Sequence, residues 1–244
     1  MSRKKDEDKR NWTWLIALVL FVALSFVLYQ NRDKQVGSLP KTDASKEQAV
    51  SKDSNQPTQA QQDFVANILL PTLDRAKISY PVPSIRTRFA TCMKRISDGQ
   101  VALQVSATPS HQGGIAAAFK DLGGKLIILI SVPAAMDALV GARNDRELFT
   151  DYLVGIMLHE EYHLIVQGGK RPDELSFDEM VQSESEAWWF TVKEVYLPMI
   201  RAGRMKLCDQ ATKEGLDAYE QANGDRNHPA WIKFSRSATG MEPQ

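Results

Sequence analysis

The chain has 244 residues, 43% of them hydrophobic and 25% charged, and its 30 basic and 30 acidic side chains cancel. That balance excludes the basic excess by which nucleic-acid binders are recognised, so no nucleic-acid partner is expected. The length admits one sizeable domain with attachments, and the composition is that of an ordinary globular protein.

Residues 1–11 are polar and basic. From Trp12 to Tyr29 the sequence WTWLIALVLFVALSFVLY carries neither charge nor proline. At 1.5 Å per helical residue such a run spans roughly 27 Å, close to a bilayer's hydrocarbon core. Trp12, Trp14 and Tyr29 stand where interfacial aromatics belong. The run ends in Phe26-Val27-Leu28-Tyr29-Gln30, without the small residues of a signal-peptidase site, so it reads as an uncleaved anchor. Arg3, Lys4, Lys5, Lys9 and Arg10 precede it, whereas Arg32, Lys34, Lys41 and Lys46 follow at growing distance. The positive-inside rule then puts residues 1–11 in the cytoplasm and the main domain on the far side of the cell membrane, as a single-pass protein. Residues 30–62, rich in Gln, Lys, Asp, Ser and Asn, bury too little to offset chain entropy and read as a flexible tether. Residues 63–244 form the domain. Cys92 and Cys208 allow one disulfide or two free thiols, and lack the Cys-x-x-Cys spacing of a metal site.

Within the domain, Phe64, Ile68, Leu69 and Leu73 recur at helical spacing, which predicts a helix from Thr58 to Ile78 that Pro71 kinks or divides. Tyr80-Pro81-Val82-Pro83 ends it. Val101, Leu103 and Val105 alternate as in a half-buried strand, Ile115–Lys120 lies between two Gly-Gly pairs, and KLIILISV (125–132) reads as a buried strand. These predict a small, mainly antiparallel meander. Helices are expected over 134–141, 145–167, 176–200 and 206–222. Gly168-Gly169 closes the long one and Ser176 with Glu179 opens the next as a capping box. The tail from Asn223 reads as a loop. The fold class is α+β, a small sheet with a helical site.

The long helix contains His159-Glu160-Glu161-Tyr162-His163. Residues four apart share a helix face, so two imidazoles can meet one zinc ion. Glu160, about 100° further round, lies beside such an ion and can take a proton from the water it activates. The surrounding window, Leu153–Val166, is apolar nearly all round, which marks a buried helix whose polar groups need partners. Gly155, one turn before His159, leaves room for metal or substrate. A third protein ligand is expected. Glu184 and Glu186 are candidates pointing to opposite sides of one helix. Glu184 shares an apolar stripe with Met180, Val181, Ala187, Trp188, Thr191 and Val195, whereas Glu186 lies beside Gln182 and Lys193. The ligand set is therefore read as His159, His163 and Glu184, with Glu186 in reserve.

His159-Glu160-x-x-His163 followed some twenty residues later by a glutamate on a second helix resembles the zincin metallopeptidases, and within them the gluzincins. The resemblance covers about Leu126 to Val195. It implies a two-helix zinc site, an upstream sheet whose edge strand binds peptide as an added strand, and hydrolysis of peptide bonds in a peptide or protein substrate. Two positions depart from the family's pattern. Trp188 stands where gluzincins often carry an aspartate that orients a metal-bound histidine, and Glu161 is charged where the motif favours an uncharged residue. Both departures suit the rival reading, a membrane-tethered binding or scaffold protein that keeps the zincin shape without cleaving. His228, in Asn227-His228-Pro229, is a candidate oxyanion helper, and Tyr162 another, although packing is the simpler role for it. His111 reads as solvated, and Trp188 and Trp189 as packing residues.

Overall fold

The computed structural model describes residues 57–108, 114–170, 174–205 and 209–239. The expected anchor, residues 12–29, lies outside the described residues, as do His111 and Cys208. No helix among the described residues is long and apolar enough to cross a membrane.

Thr58 opens α1 (Gln59–Phe64) through a capping box with Gln61, so residues 59–62, assigned to the tether by composition, are helical. The chain then widens into a π-turn at Val65–Leu69, where the Leu70 N–H reaches the Val65 carbonyl, before α2 (Leu70–Ser79). Pro71 lacks an N–H and its ring crowds the carbonyl four residues back, and the widened turn accommodates it without breaking the helix. α3 (Pro83–Ser97) follows directly, with Pro83 in its first turn. Its amphipathic pattern was not among the expected elements.

The sheet consists of β1 (Val101–Ser106), β2 (Ala116–Lys120) and β3 (Leu126–Ser131). Their order is β1-β3-β2, with β1 parallel and β2 antiparallel to β3. The expected mainly antiparallel meander therefore holds only for the β2–β3 hairpin, and β1 lies parallel to β3 on its other side. β3 contributes Ile127, Ile128 and Ile130 to the interior; a strand apolar on both faces belongs in the middle, leaving its less apolar neighbours at the edges. Asp121 shapes the β2–β3 hairpin by accepting the N–H groups of Gly123 and Lys125 at 2.9 and 2.8 Å.

α4 (Val132–Gly141) leads to α5 (Arg146–Ile165), capped by Asp145. α5 packs against α2, α3, β2, β3 and the next long helix, which explains its nearly continuous apolar character. Gly168 and Gly169 terminate it at φ of 78° and 64°, and the Gly169 N–H returns to the His163 carbonyl at 3.0 Å. Two turns before the histidines, the buried Asp151 accepts from Tyr80 Oη (2.7 Å), Arg204 Nε (3.1 Å) and Nη2 (2.9 Å), and the Met205 N–H (3.2 Å).

α6 (Phe177–Thr191) begins with the expected Ser176–Glu179 capping box. A second π-turn, Val192–Tyr196, precedes Pro198 and α7 (Leu197–Arg201), the same offset between π-turn and proline as at Pro71. α8 (Gln210–Ala222) and α9 (Pro229–Ala238) complete the described fold. The tail expected to be a loop from Asn223 is thus loop-like only to His228 and helical over Pro229–Ala238. Trp231 and Phe234 of α9 are buried, Trp231 meets Trp189 edge-on at 4.8 Å, and its indole donates to Ser185 Oγ at 2.8 Å. Apolar burial of that extent gives the helix its docking face on α6.

Candidate metal centre

α5 and α6 cross so that His159, His163 and Glu184 meet. Their ligand atoms all lie within 4.8 Å of one another. His159 Nε2 and His163 Nε2 are 3.2 Å apart, and Glu184 places one oxygen 3.5 Å from the first and the other 3.4 Å from the second. A tetrahedron with metal–ligand bonds of about 2.0–2.1 Å has edges of roughly 3.3–3.4 Å. The distance between the two Nε2 atoms matches one such edge, and Glu184 faces the pair with one oxygen towards each ring.

The far side of each imidazole is also engaged. His159 Nδ1 lies 3.1 Å from Thr191 Oγ1, and that hydroxyl donates its own proton to the Ala187 carbonyl at 2.7 Å. Thr191 can therefore only accept from Nδ1–H. His163 Nδ1 lies 2.6 Å from Gln167 Oε1 and 3.2 Å from Ser183 Oγ, whose proton goes to the same Oε1 at 2.7 Å. Gln167 Nε2 donates to the Ser183 carbonyl at 2.9 Å, which fixes its amide the right way round. With a proton on each Nδ1, each Nε2 carries a lone pair. Two nitrogen lone pairs and a carboxylate thus converge with no hydrogen of their own between them, and such a set accommodates a cation or an added proton. Burial raises the Glu184 carboxyl, yet it ends below its ordinary value through the imidazoles it faces, His159 first, and the indole of Trp188.

Glu160 is half-buried beside this group. Burial pushes its carboxyl up to about 7, with the charge of His163 opposing, that of Glu184 adding and the Ala118 N–H opposing. A carboxyl poised near neutrality suits general-base work. Glu161 pairs instead with Arg95 of α3, so the unexpected charge in the motif has a partner. Burial raises its carboxyl against the hydrogen bond and charge of Arg95.

A cavity of about 320 Å³ opens onto the group, bounded by the β2 edge, the end of α5 and the first half of α6; Ala116, Ala118, Glu160, His163 and Met180 are among its walls. In β2, Ile115 and Asp121 bond to the β3 side (Ser131 N–H to Ile115 O, 2.7 Å; Asp121 N–H to Lys125 O, 2.9 Å). The alternation of an antiparallel ladder then turns the N–H and C=O of Ala116, Ala118 and Lys120 away from β3. Ala118 N–H accordingly faces Glu160, and Lys120 N–H donates to the Gly169 carbonyl at 2.7 Å.

Other sequence candidates fall elsewhere. Glu186 lines the cavity but is not among the converging ligands, accepting instead from Gln182 Nε2 at 3.2 Å and Gln167 Nε2 at 3.4 Å. His228 caps α9 by accepting the Ala230 N–H at 3.2 Å and is not among the residues lining the cavity. Tyr162 stacks on Phe190 at 4.8 Å. The space beside Gly155 is filled by Tyr196, one of whose ring carbons would lie 2.5 Å from an added Cβ, so it holds neither metal nor substrate. Cys92 is a buried free thiol. Gln167, Ser183 and the indole of Trp188 were missed as site residues, although Gln167 follows His163 by one helical turn and was legible for that reason. Comparison with protein-family models, with curated proteins and with solved structures gives no match.

Proposed function

We propose that this chain is a membrane-anchored, gluzincin-like zinc metallopeptidase, with His159, His163 and Glu184 as ligands and Glu160 as general base. The observation that carries the reading is the convergence of the two Nε2 atoms and the Glu184 carboxylate at 3.2–3.5 Å, each imidazole turned by a partner on its Nδ1. The donor set, two imidazoles and one carboxylate, fits zinc with a position left for substrate or water. Zinc so held supplies Lewis acidity to a peptide carbonyl and acidifies a water molecule.

The chain's own groups do the rest. The outward backbone groups of β2 around Ala116, which the Lys120–Gly169 bond leaves open, hold an extended peptide along the cavity. The Glu160 carboxylate takes a proton from the attacking water as its oxygen bonds to the carbonyl carbon. It then returns that proton to the departing amide nitrogen as the C–N bond breaks, so the carboxylate ends unchanged. Residues 12–29 anchor the protein, with the domain on the extracytoplasmic side and a peptide or protein as substrate.

The test uses the full chain in detergent. Zinc per chain and cleavage of an unstructured protein such as casein are measured for the wild type and for Glu160→Gln, Glu184→Gln and Glu186→Gln. One zinc in the wild type is expected, lost in Glu184→Gln, kept in Glu186→Gln, and kept without cleavage in Glu160→Gln. A zinc-loaded wild type that cleaves no peptide or protein would overturn the hydrolase and leave a tethered metal protein.

A further inference from the structure

The position four residues after Glu184 holds Trp188, whose indole helps keep the Glu184 carboxyl below its ordinary value and whose ring lies 5.0 Å from that of His159. No carboxylate reaches Nδ1 of either histidine among the described contacts. We infer that Thr191 and Gln167 are the positioning residues of the metal centre, setting the tautomer and ring angle of His159 and His163 through neutral hydrogen bonds.

Thr191 is fully buried, and its hydroxyl has a single geometry open to it, donating to Ala187 and accepting from His159. It sits seven residues after Glu184, two helical turns along the same stripe, so one face of α6 supplies both a ligand and the device that turns another ligand towards it. For His163 the device is a cluster: Gln167 Oε1 accepts from the ring, Ser183 reinforces Oε1, and the Ser183 carbonyl and Glu186 hold Nε2. Glu186, set aside as a ligand, thereby acts two hydrogen bonds behind one. A carboxylate partner raises the basicity of a ligating imidazole, whereas a hydroxyl or amide orients it without adding charge. The centre therefore keeps its geometry while its histidines remain weaker donors than carboxylate-backed ones, and its hold on the metal depends strongly on the two neutral contacts.

The inference rests on the metal-site reading for its affinity arm, but the tautomer arm is independent of it. Imidazole nitrogen shifts of the full chain in detergent, metal-free and at a pH where both rings are neutral, should show Nδ1–H for both histidines. Thr191→Val, close in shape, should leave His159 a mixture of tautomers, with Thr191→Ser restoring Nδ1–H; Gln167→Met should do the same to His163. Zinc affinity by chelator competition should fall roughly 10–100-fold in the Val and Met variants and recover in the Ser variant. Helix content by circular dichroism serves as the folding control. An Nε2–H wild type, or unchanged tautomers in the folded Val and Met variants, would overturn the inference. A wild type that binds no zinc sinks the metallopeptidase instead, and the nitrogen shifts still decide the positioning.

Discussion

The ring of Tyr196 occupies the place that a β-carbon on Gly155 would need, with its Cε1 2.5 Å and its hydroxyl 3.1 Å from that point. Tyr196 is buried and its ring centroid is 6.3 Å from that of Trp188, which in turn lies against His159. Gly155→Ala should therefore cost roughly 1–3 kcal/mol by overpacking and loosen the Trp188 contact with Glu184. Thermal unfolding and zinc titration would read both effects; an unchanged melting temperature would show that the ring has somewhere else to go.

Arg95 and Glu161 make the second prediction. The Glu161 side chain is only 13% exposed, so removing its partner strands a poorly solvated carboxylate. Arg95→Met should destabilise by roughly 1–3 kcal/mol, and Arg95→Met with Glu161→Gln should recover most of that loss. Urea unfolding of the single and double variants forms the cycle, and strictly additive losses would mean that the pair is not coupled.

Stability at alkaline pH should depend on Tyr80. Its hydroxyl is pushed above the usual tyrosine range, first by burial, then by the hydrogen bond to Asp151 and the charge of Asp151, with Arg204 opposing. The unfolded chain releases this proton near pH 10 and the folded one only higher. The stabilisation is thus complete below about pH 10 and is lost as the pH rises towards the folded value. Tyr80→Phe should lower stability near neutrality by about 1 kcal/mol and flatten the decline above pH 10. An identical slope in the two proteins would contradict this.

Metal removal supplies the fourth. If the three converging groups hold zinc only when folded, excess zinc at a hundred times its dissociation constant adds about 2.7 kcal/mol. A chelator should lower the melting temperature of the wild type by several degrees, zinc should restore it, and Glu184→Gln should respond to neither.

The motif and its third member were legible because helical geometry is strict: residues four apart share a face, and an acid within an apolar stripe stands out. The same stripe already contained Thr191, whose contact with His159 depends on how α5 and α6 cross, and crossing angles leave no mark on local spacing. β3 was recognisable as buried, but strand order was not, since a run of apolar residues gives no direction to its neighbours. Trp231 and Phe234, three residues apart and just after a proline, carried a helix signal that loop-like composition at residues 223–228 obscured. Asp151, Tyr80 and Arg204 are far apart in sequence, and only the fold brings them together.

The Lys120–Gly169 hydrogen bond has a consequence for solubility. An exposed sheet edge is a template on which identical chains can stack, and proteins blunt such edges by keeping them short or covered. In β2 the Lys120 amide is taken by Gly169 and that of Ala118 faces Glu160, leaving open only the stretch centred on Ala116, about three residues or roughly 10 Å. That is enough to register a short piece of extended chain and too little to seed an intermolecular sheet, so the edge bordering the cavity need not be a site of self-association.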